Sequence, residues 1–352
     1  MSVQPRKRIE ALPPYVPGAA ATIKVASNEN SLEPLPSVVQ AISNAARTVN
    51  RYPDSGANAL VAKLAETLHV RPDQLATGCG SVSVFQQILQ AFCDQDDEVV
   101  YAWRSFEAYP LIVEIVGATS VQVPLKDFRH DLSAMLAAIT DRTRVVVVCN
   151  PNNPTGTAVT RDELSAFLDA VPDHVLVIID EAYTEYVTNS DVPDGIELMR
   201  GRTNVAVLRT FSKAYGLAGL RVGYLVADDP VVAQSVAKSM MPFSVSSVAQ
   251  VAALASLAAA AELKSRVADT VEERERFVGA VRELRFTVPE SEGNFIWLAT
   301  GESTPQLVAH LFAQQISVRG FASDGIRITI GTPEQDDAVL AALRGFAEAI
   351  GR

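Results

Sequence analysis

The stretch RTFSKAYGLAGLRVGY, residues 209–224, sets one lysine, Lys213, beside Thr210, Ser212 and Arg221. A lysine among crowded loops either pairs a carboxylate or acts as a nucleophilic amine that condenses with a carbonyl. The two hydroxyls and the guanidinium are donors suited to a phosphate. Three other short stretches carry related chemistry. GCGSVS, 78–83, combines Gly78 and Gly80 with a helix start at Ser81, where backbone N–H groups bind anions. As a G-x-G-x-x-G dinucleotide fingerprint it fails at Ser83, and taken alone it is an ordinary glycine turn. NPNNPTG, 150–156, is also a turn composition, yet its two X-Pro bonds hold the amides of Asn152 and Asn153 rigidly enough to meet a flat ligand. VLVIID, 175–180, ends in Asp180 and continues EAY with Tyr183. A carboxylate after five apolar residues is buried and needs a cationic partner, which a plain salt bridge would also supply.

These residues meet only if the strands before them lie side by side. Apolar runs rich in Val and Ile recur at 97–102, 119–125, 144–149, 175–180, 204–210 and 221–227, with amphipathic stretches between most of them. That is the pattern of parallel strands joined by crossover helices, in which ligands bind at the carboxyl ends of the strands. Thr160 with Glu163, and Asp131, are helix N-caps in these connections. An Ala-rich segment, 247–285, reads as a helix pair or one bent helix, and FTV, NFIWLA, ISVRGF and GIRITIG then form short strands of a second, α+β unit. The expected division is an N-terminal arm over 1–30, extended because of Pro5, Pro13, Pro14 and Pro17, a large domain over 31–245 and a small domain over 246–352.

Composition narrows the function. The chain has 352 residues, enough for two cores, with 48% apolar and 20% charged residues, as in globular proteins. A formal net charge of -11 argues against nucleic acid and anionic membrane surfaces as partners. No apolar run reaches the roughly 18–20 residues of a membrane span, and MSVQPRKRIEALPPY lacks a signal-peptide centre, so a cytoplasmic protein is expected. Three cysteines and four scattered histidines point to neither a disulfide scaffold nor a metal site.

One ligand accounts for the four loops together: a molecule with a phosphate, a protonatable ring nitrogen and an aldehyde, which is pyridoxal 5'-phosphate. Lys213 would hold it as an imine, Asp180 would keep the ring nitrogen protonated, and Asn153 with Tyr183 would meet the ring oxygen. An NAD oxidoreductase using the GCGSVS loop is the alternative from another class.

In their order and spacing NPNNPTG, DEAY and TFSKAYGLAGLRVGY resemble the class I/II aminotransferases of fold type I, within them the histidinol-phosphate aminotransferase group; SNEN, RYPD, SFEAYP and GIRITIG extend the resemblance over nearly the whole chain. It implies an α/β fold with a mostly parallel seven-stranded sheet between helices, plus a smaller α+β domain. It makes Lys213 the Schiff-base lysine, Asp180 the pyridinium partner and Phe106 the ring-stacking residue. The phosphate falls among Gly80, Ser81, Thr210, Ser212 and Arg221, with Tyr52 reaching it from the other subunit of a homodimer. Arg327 would fork onto the substrate α-carboxylate, with Asn28, Arg319 and Tyr15 as further substrate contacts. GCGSVS and WRSFEAYP look more like the actinobacterial aromatic amino acid (phenylalanine) branch, which implies transfer between an aromatic L-amino acid and a 2-oxo acid such as 2-oxoglutarate. Histidinol phosphate is the alternative substrate, and Arg319 serves either. Phe321 and Phe243 are candidate apolar walls.

Overall fold

The computed structural model describes residues 3–13 and 20–351. Its strands, in chain order, are β1 (Ile23–Lys24), β2 (Leu75–Gly78), β3 (Glu98–Trp103), β4 (Thr119–Pro124), β5 (Thr143–Cys149), β6 (Leu176–Asp180), β7 (Val205–Thr210), β8 (Gly223–Ala227), β9 (Phe295–Leu298), β10 (Ile316–Ser317), β11 (Arg319–Phe321) and β12 (Gly325–Thr329). Seven of them form one sheet in the order β2-β8-β7-β6-β5-β3-β4. The pairs among β3 to β7 are parallel, and Val145 to Val148 of β5 are all buried because helices cover both faces. β8 runs antiparallel to both of its neighbours, so the run at 221–227 closes the sheet without a crossover helix. The seventh strand, β2, is LATG, too short and too poor in β-branched residues to stand out as a strand in sequence.

Large apolar clusters line the two faces of this sheet, and a third lies between β9, β11–β12 and the helices Ala260–Glu283, Thr304–Ala313 and Pro333–Ala349. The Ala-rich segment is two helices, Ser247–Ala258 and Ala260–Glu283, bent by 82° about Ala259. The first packs Ala249, Ala252 and Ala253 into the core of the large sheet, although it lies beyond residue 245. Conversely, Val25 joins the C-terminal cluster through the parallel pair β1–β10, although it lies before residue 31.

Both caps form: Thr160 and Glu163 close a capping box, and the Asp131 carboxylate accepts from the Ala134 N–H. FTV is not a strand; Phe286 and Val288 are buried as single apolar anchors. ISVRGF breaks at Val318 into β10 and β11, which belong to different sheets. The arm contains one helical turn, Lys7–Glu10, where an extended chain was expected. That turn lies between prolines and is fixed by tertiary contacts, Arg8 pairing with Asp96 and donating to the Ala118 carbonyl at 2.8 Å. No single helix among the described residues is long and apolar enough to cross a membrane.

Candidate active site

A cavity of about 630 Å³ opens at the carboxyl ends of β5, β6 and β7, where the parallel strands deliver their loops. Ser81, Phe106, Asn153, Asp180, Tyr183, Thr210, Ser212, Lys213, Arg221, Arg319 and Arg327 all line it.

One end is built for an anion. Gly80, at φ +83°, precedes the helix Ser81–Phe92, whose first turn has no side-chain cap, leaving N–H groups exposed to the cavity. A Cβ at Gly80 would overlap the Arg221 guanidinium, so glycine there is what lets the cation reach the helix start. Thr210 donates to the Ser212 hydroxyl at 3.0 Å, and Arg221 Nη1 donates to the same hydroxyl at 3.4 Å. Arg221 holds this position with φ at 57°, a left-handed conformation that costs a non-glycine residue about 1 kcal/mol or more. Ser81 Nα, two hydroxyls and a guanidinium thus converge as the notional phosphate site requires.

At the cavity floor Asp180 is 5% exposed. Its Oδ2 accepts from the Tyr109 hydroxyl at 2.5 Å, while Oδ1 has no hydrogen-bond partner among the described residues. Burial raises its pKa to about 6, against the pull of Tyr109, the Ala182 N–H and the Lys213 charge. Lys213 lines the cavity, and its amine donates to the Ser27 carbonyl at 3.3 Å. Desolvation, then Arg327 and Arg221, lower its pKa to about 7, with Glu29 and Asp180 opposing. At neutral pH a large fraction of Lys213 is therefore the free amine a nucleophile or base requires.

The mouth holds the remaining groups. Arg327 Nη1 donates to Asn153 Oδ1 at 2.5 Å and Nη2 to the Ala26 carbonyl at 2.6 Å. Tyr183 is buried, its ring edge-on to Phe295, and its hydroxyl accepts from Asn28 Nδ2 at 2.9 Å. Asn152, beside Asn153, faces inward: its Oδ1 accepts from Ser105 at 2.8 Å and lies 3.1 Å from His130 Nε2, which pins the loop. Phe106 stands at the wall, edge-on to Tyr109 at 5.5 Å.

Several expected residues lie elsewhere. Asn28 is fully buried and does not line the cavity; it braces Tyr183 and accepts from Thr329 Oγ1 at 3.1 Å, so its geometry is that of a support rather than a substrate contact. Tyr52, expected to serve the other subunit's site, is 83% exposed and stacks on Phe243 outside the cavity of its own chain, with ring centroids 4.6 Å apart. Phe321 packs on Trp297 instead of forming a cavity wall. Tyr15 falls outside the described residues. Tyr109 is the functional neighbour the sequence reading passed over; its only signal was its place three residues after Phe106 in SFEAYP. Glu107, which accepts from Arg319 Nε at 2.9 Å, was missed for the same reason: it belongs to a helix start 212 positions away.

The chain is similar to known proteins over nearly its whole length. Aromatic amino acid aminotransferase from Thermobifida fusca is 53% identical over 347 residues, covering 97% of this chain and 96% of that protein. The protein of the same description from Rhodococcus jostii is 54% identical over 344 residues, covering 97% and 95%. Among solved structures, histidinol-phosphate aminotransferase from Sinorhizobium meliloti, in complex with pyridoxal-5'-phosphate, superposes with a TM-score of 0.92 at 28% identity and covers 99% of both chains. The family model of aminotransferase class I and II matches residues 20–343, and the chain belongs to that family.

Proposed function

We propose that this protein is a pyridoxal 5'-phosphate-dependent aminotransferase that moves the amino group between an aromatic L-amino acid and a 2-oxo acid such as 2-oxoglutarate. The observation that carries the cofactor reading is the buried Asp180 Oδ1, a carboxylate oxygen with no hydrogen-bond donor among the described residues, in a cavity that Lys213 also lines. A protonated ring nitrogen is the donor that site lacks. The Ser81 helix start with Thr210, Ser212 and Arg221 fits the phosphate, and Phe106 and Asn153 fit the face and ring oxygen of a flat ligand.

When bound, the cofactor supplies an electron-withdrawing ring able to take up the electron pair left at the substrate Cα. Within that chemistry Asp180 keeps a proton on the ring nitrogen, because a buried carboxylate is most stable beside a donated positive charge. Lys213 Nζ would take up the proton leaving the substrate Cα and hold it for return, a role its pKa of about 7 suits. Arg327, already aligned by Asn153 and the Ala26 carbonyl, orients the α-carboxylate through its fork. Tyr183, braced by Asn28, keeps a proton on its hydroxyl because burial pushes its pKa up.

The aromatic reading is supported by the description of the relatives and by Val82, Phe106, Ala108 and Leu111, which give one side of the cavity an apolar wall. The protein is further proposed to be a homodimer, with the exposed Tyr52 directed at the partner's phosphate site. The helix Ser247–Ala258 is proposed to belong to the large, cofactor-binding unit, a reading supported by the packing of Ala249, Ala252 and Ala253. Borohydride reduction of the holoenzyme should fix the cofactor on Lys213; an adduct elsewhere, or none, sinks the cofactor assignment. Phenylpyruvate and imidazole acetol phosphate, offered as acceptors under equal conditions, test the substrate, and faster turnover of the phosphate compound would favour histidinol phosphate.

A further inference from the structure

The ion pair between Arg319 and Glu107 has no part in the chemistry above, yet both residues line the cavity. Arg319 and Arg327 are directly opposed in the antiparallel pair β11–β12, so their side chains leave the same face of the sheet. With Arg327 given to the α-carboxylate, Arg319 is the neighbouring guanidinium suited to a second anion on the substrate, such as a phosphate monoester. The chain instead commits Arg319 to a carboxylate. Glu107 is the N-cap residue of the helix Ala108–Val116, but its side chain caps nothing. It crosses to Arg319 Nε at 2.9 Å, although uncapped helix N–H groups attract an acidic side chain in that position. Ala108 and Leu111, one helical turn apart from Glu107 and beside it, face the same space and are apolar.

We propose that Glu107 is a specificity-determining residue that excludes substrates carrying a phosphate on the side chain. The proposal rests on the aromatic reading given above. The Glu107 carboxylate offsets the Arg319 charge and repels a second anion in a partly desolvated cavity, where screening by salt is weak. An aromatic ring needs no counter-charge and packs on the wall with the ion pair intact. Discrimination by repulsion of the wrong ligand reaches selectivities that apolar contacts to the right one do not.

The test is the ratio of kcat/KM for histidinol phosphate to that for phenylalanine, measured on holoenzyme for wild type, Glu107→Gln and Glu107→Asp. Glu107→Gln keeps an acceptor for Arg319 and removes the charge, so the ratio should rise by about tenfold, equivalent to about 1.4 kcal/mol. Glu107→Asp keeps the charge and should hold the ratio near the wild-type value. The gain should grade with the charge on the side chain, smaller for glutamate than for histidinol phosphate. Adding Arg319→Gln to Glu107→Gln should cancel the gain, since the Arg319 guanidinium, no longer facing a carboxylate at position 107, is what takes up the phosphate. A general structural defect lowers all rates in parallel and leaves the ratio unmoved. An unmoved ratio in Glu107→Gln, or an equal rise in Glu107→Asp, overturns the role of Glu107. A wild-type ratio already in favour of histidinol phosphate overturns the aromatic reading instead.

Discussion

Asp180 and Glu181 are consecutive residues at the end of β6, 5% and 1% exposed, and their surroundings treat them in opposite ways. Glu181 Oε2 accepts from Arg209 Nε at 2.9 Å and Nη2 at 2.7 Å, and its Oε1 accepts from the Gly195 N–H at 2.6 Å. Arg209 also reaches Asp194 at 2.6 Å, so the charge on each side is met. Asp180 has the Tyr109 hydroxyl on Oδ2 and the Ala182 N–H close by, while Oδ1 meets no donor at hydrogen-bond geometry among the described residues. Burial raises the pKa of both carboxyls, but only at Glu181 does a guanidinium in direct contact oppose it. A folded protein satisfies its buried charges unless something else is to satisfy them. Two acids of similar burial therefore divide into one whose charge is met by Arg209 and one whose Oδ1 is left open, the carboxylate proposed above to meet the cofactor.

The comparison would break first at Lys213. If Asp180 were merely the ion-pair partner of that lysine, Lys213→Ala would leave an orphaned buried charge and destabilise the fold by about 3–5 kcal/mol. We expect instead a loss of transamination of roughly 10⁴-fold or more with little change in thermal midpoint, read by steady-state assay and calorimetry on the same preparation. Glu181→Ala should do the reverse. Removing the acceptor of the buried Arg209 should lower unfolding free energy by about 3–5 kcal/mol, seen in denaturant titration, whatever happens to activity.

Asp180→Asn sharpens the contrast within one residue. Turnover should fall by roughly 10²–10³-fold, as when a preorganised charge is removed from a reaction centre. The cofactor-free protein should gain about 3 kcal/mol above pH 6. The sign follows from its folded pKa of about 6, above the ordinary carboxylate value: between about pH 4 and 6 the native state binds more protons, so wild-type stability falls as pH rises. The gap between wild type and variant should thus open across that window, stay constant above it and close below it; a gap independent of pH would contradict the unpaired carboxylate. The smallest effect is expected at Asn28→Ala, about 2 kcal/mol for the lost hydrogen bonds to Tyr183 and from Thr329, with a modest drop in kcat.

Much of this was legible in sequence because it depends on local order. The Val-rich runs that become β3 to β7, the Thr160 and Asp131 caps, and the bend in the Ala-rich segment follow from periodicity and capping chemistry within a dozen residues. Lys213, Asp180, Asn153 and Arg221 were readable because parallel strands put successive loops at one edge, so position in the chain becomes position in the site. The reversed direction of β8 and the pairing of β2 were not readable, since a strand's orientation is set by its partner and leaves no mark on its own alternation.

The amino-acid order by itself determined which side chains stand at the strand ends, and so the reaction class. Only the tertiary structure decided which of them face one another: that Tyr109 rather than a cation approaches Asp180, that Asn28 supports Tyr183 from behind, and that Glu107 meets Arg319 across 212 positions. Contacts of that span depend on how two packed units meet, and Coulomb and hydrogen-bond energies vary over ångströms that no spacing in the chain records.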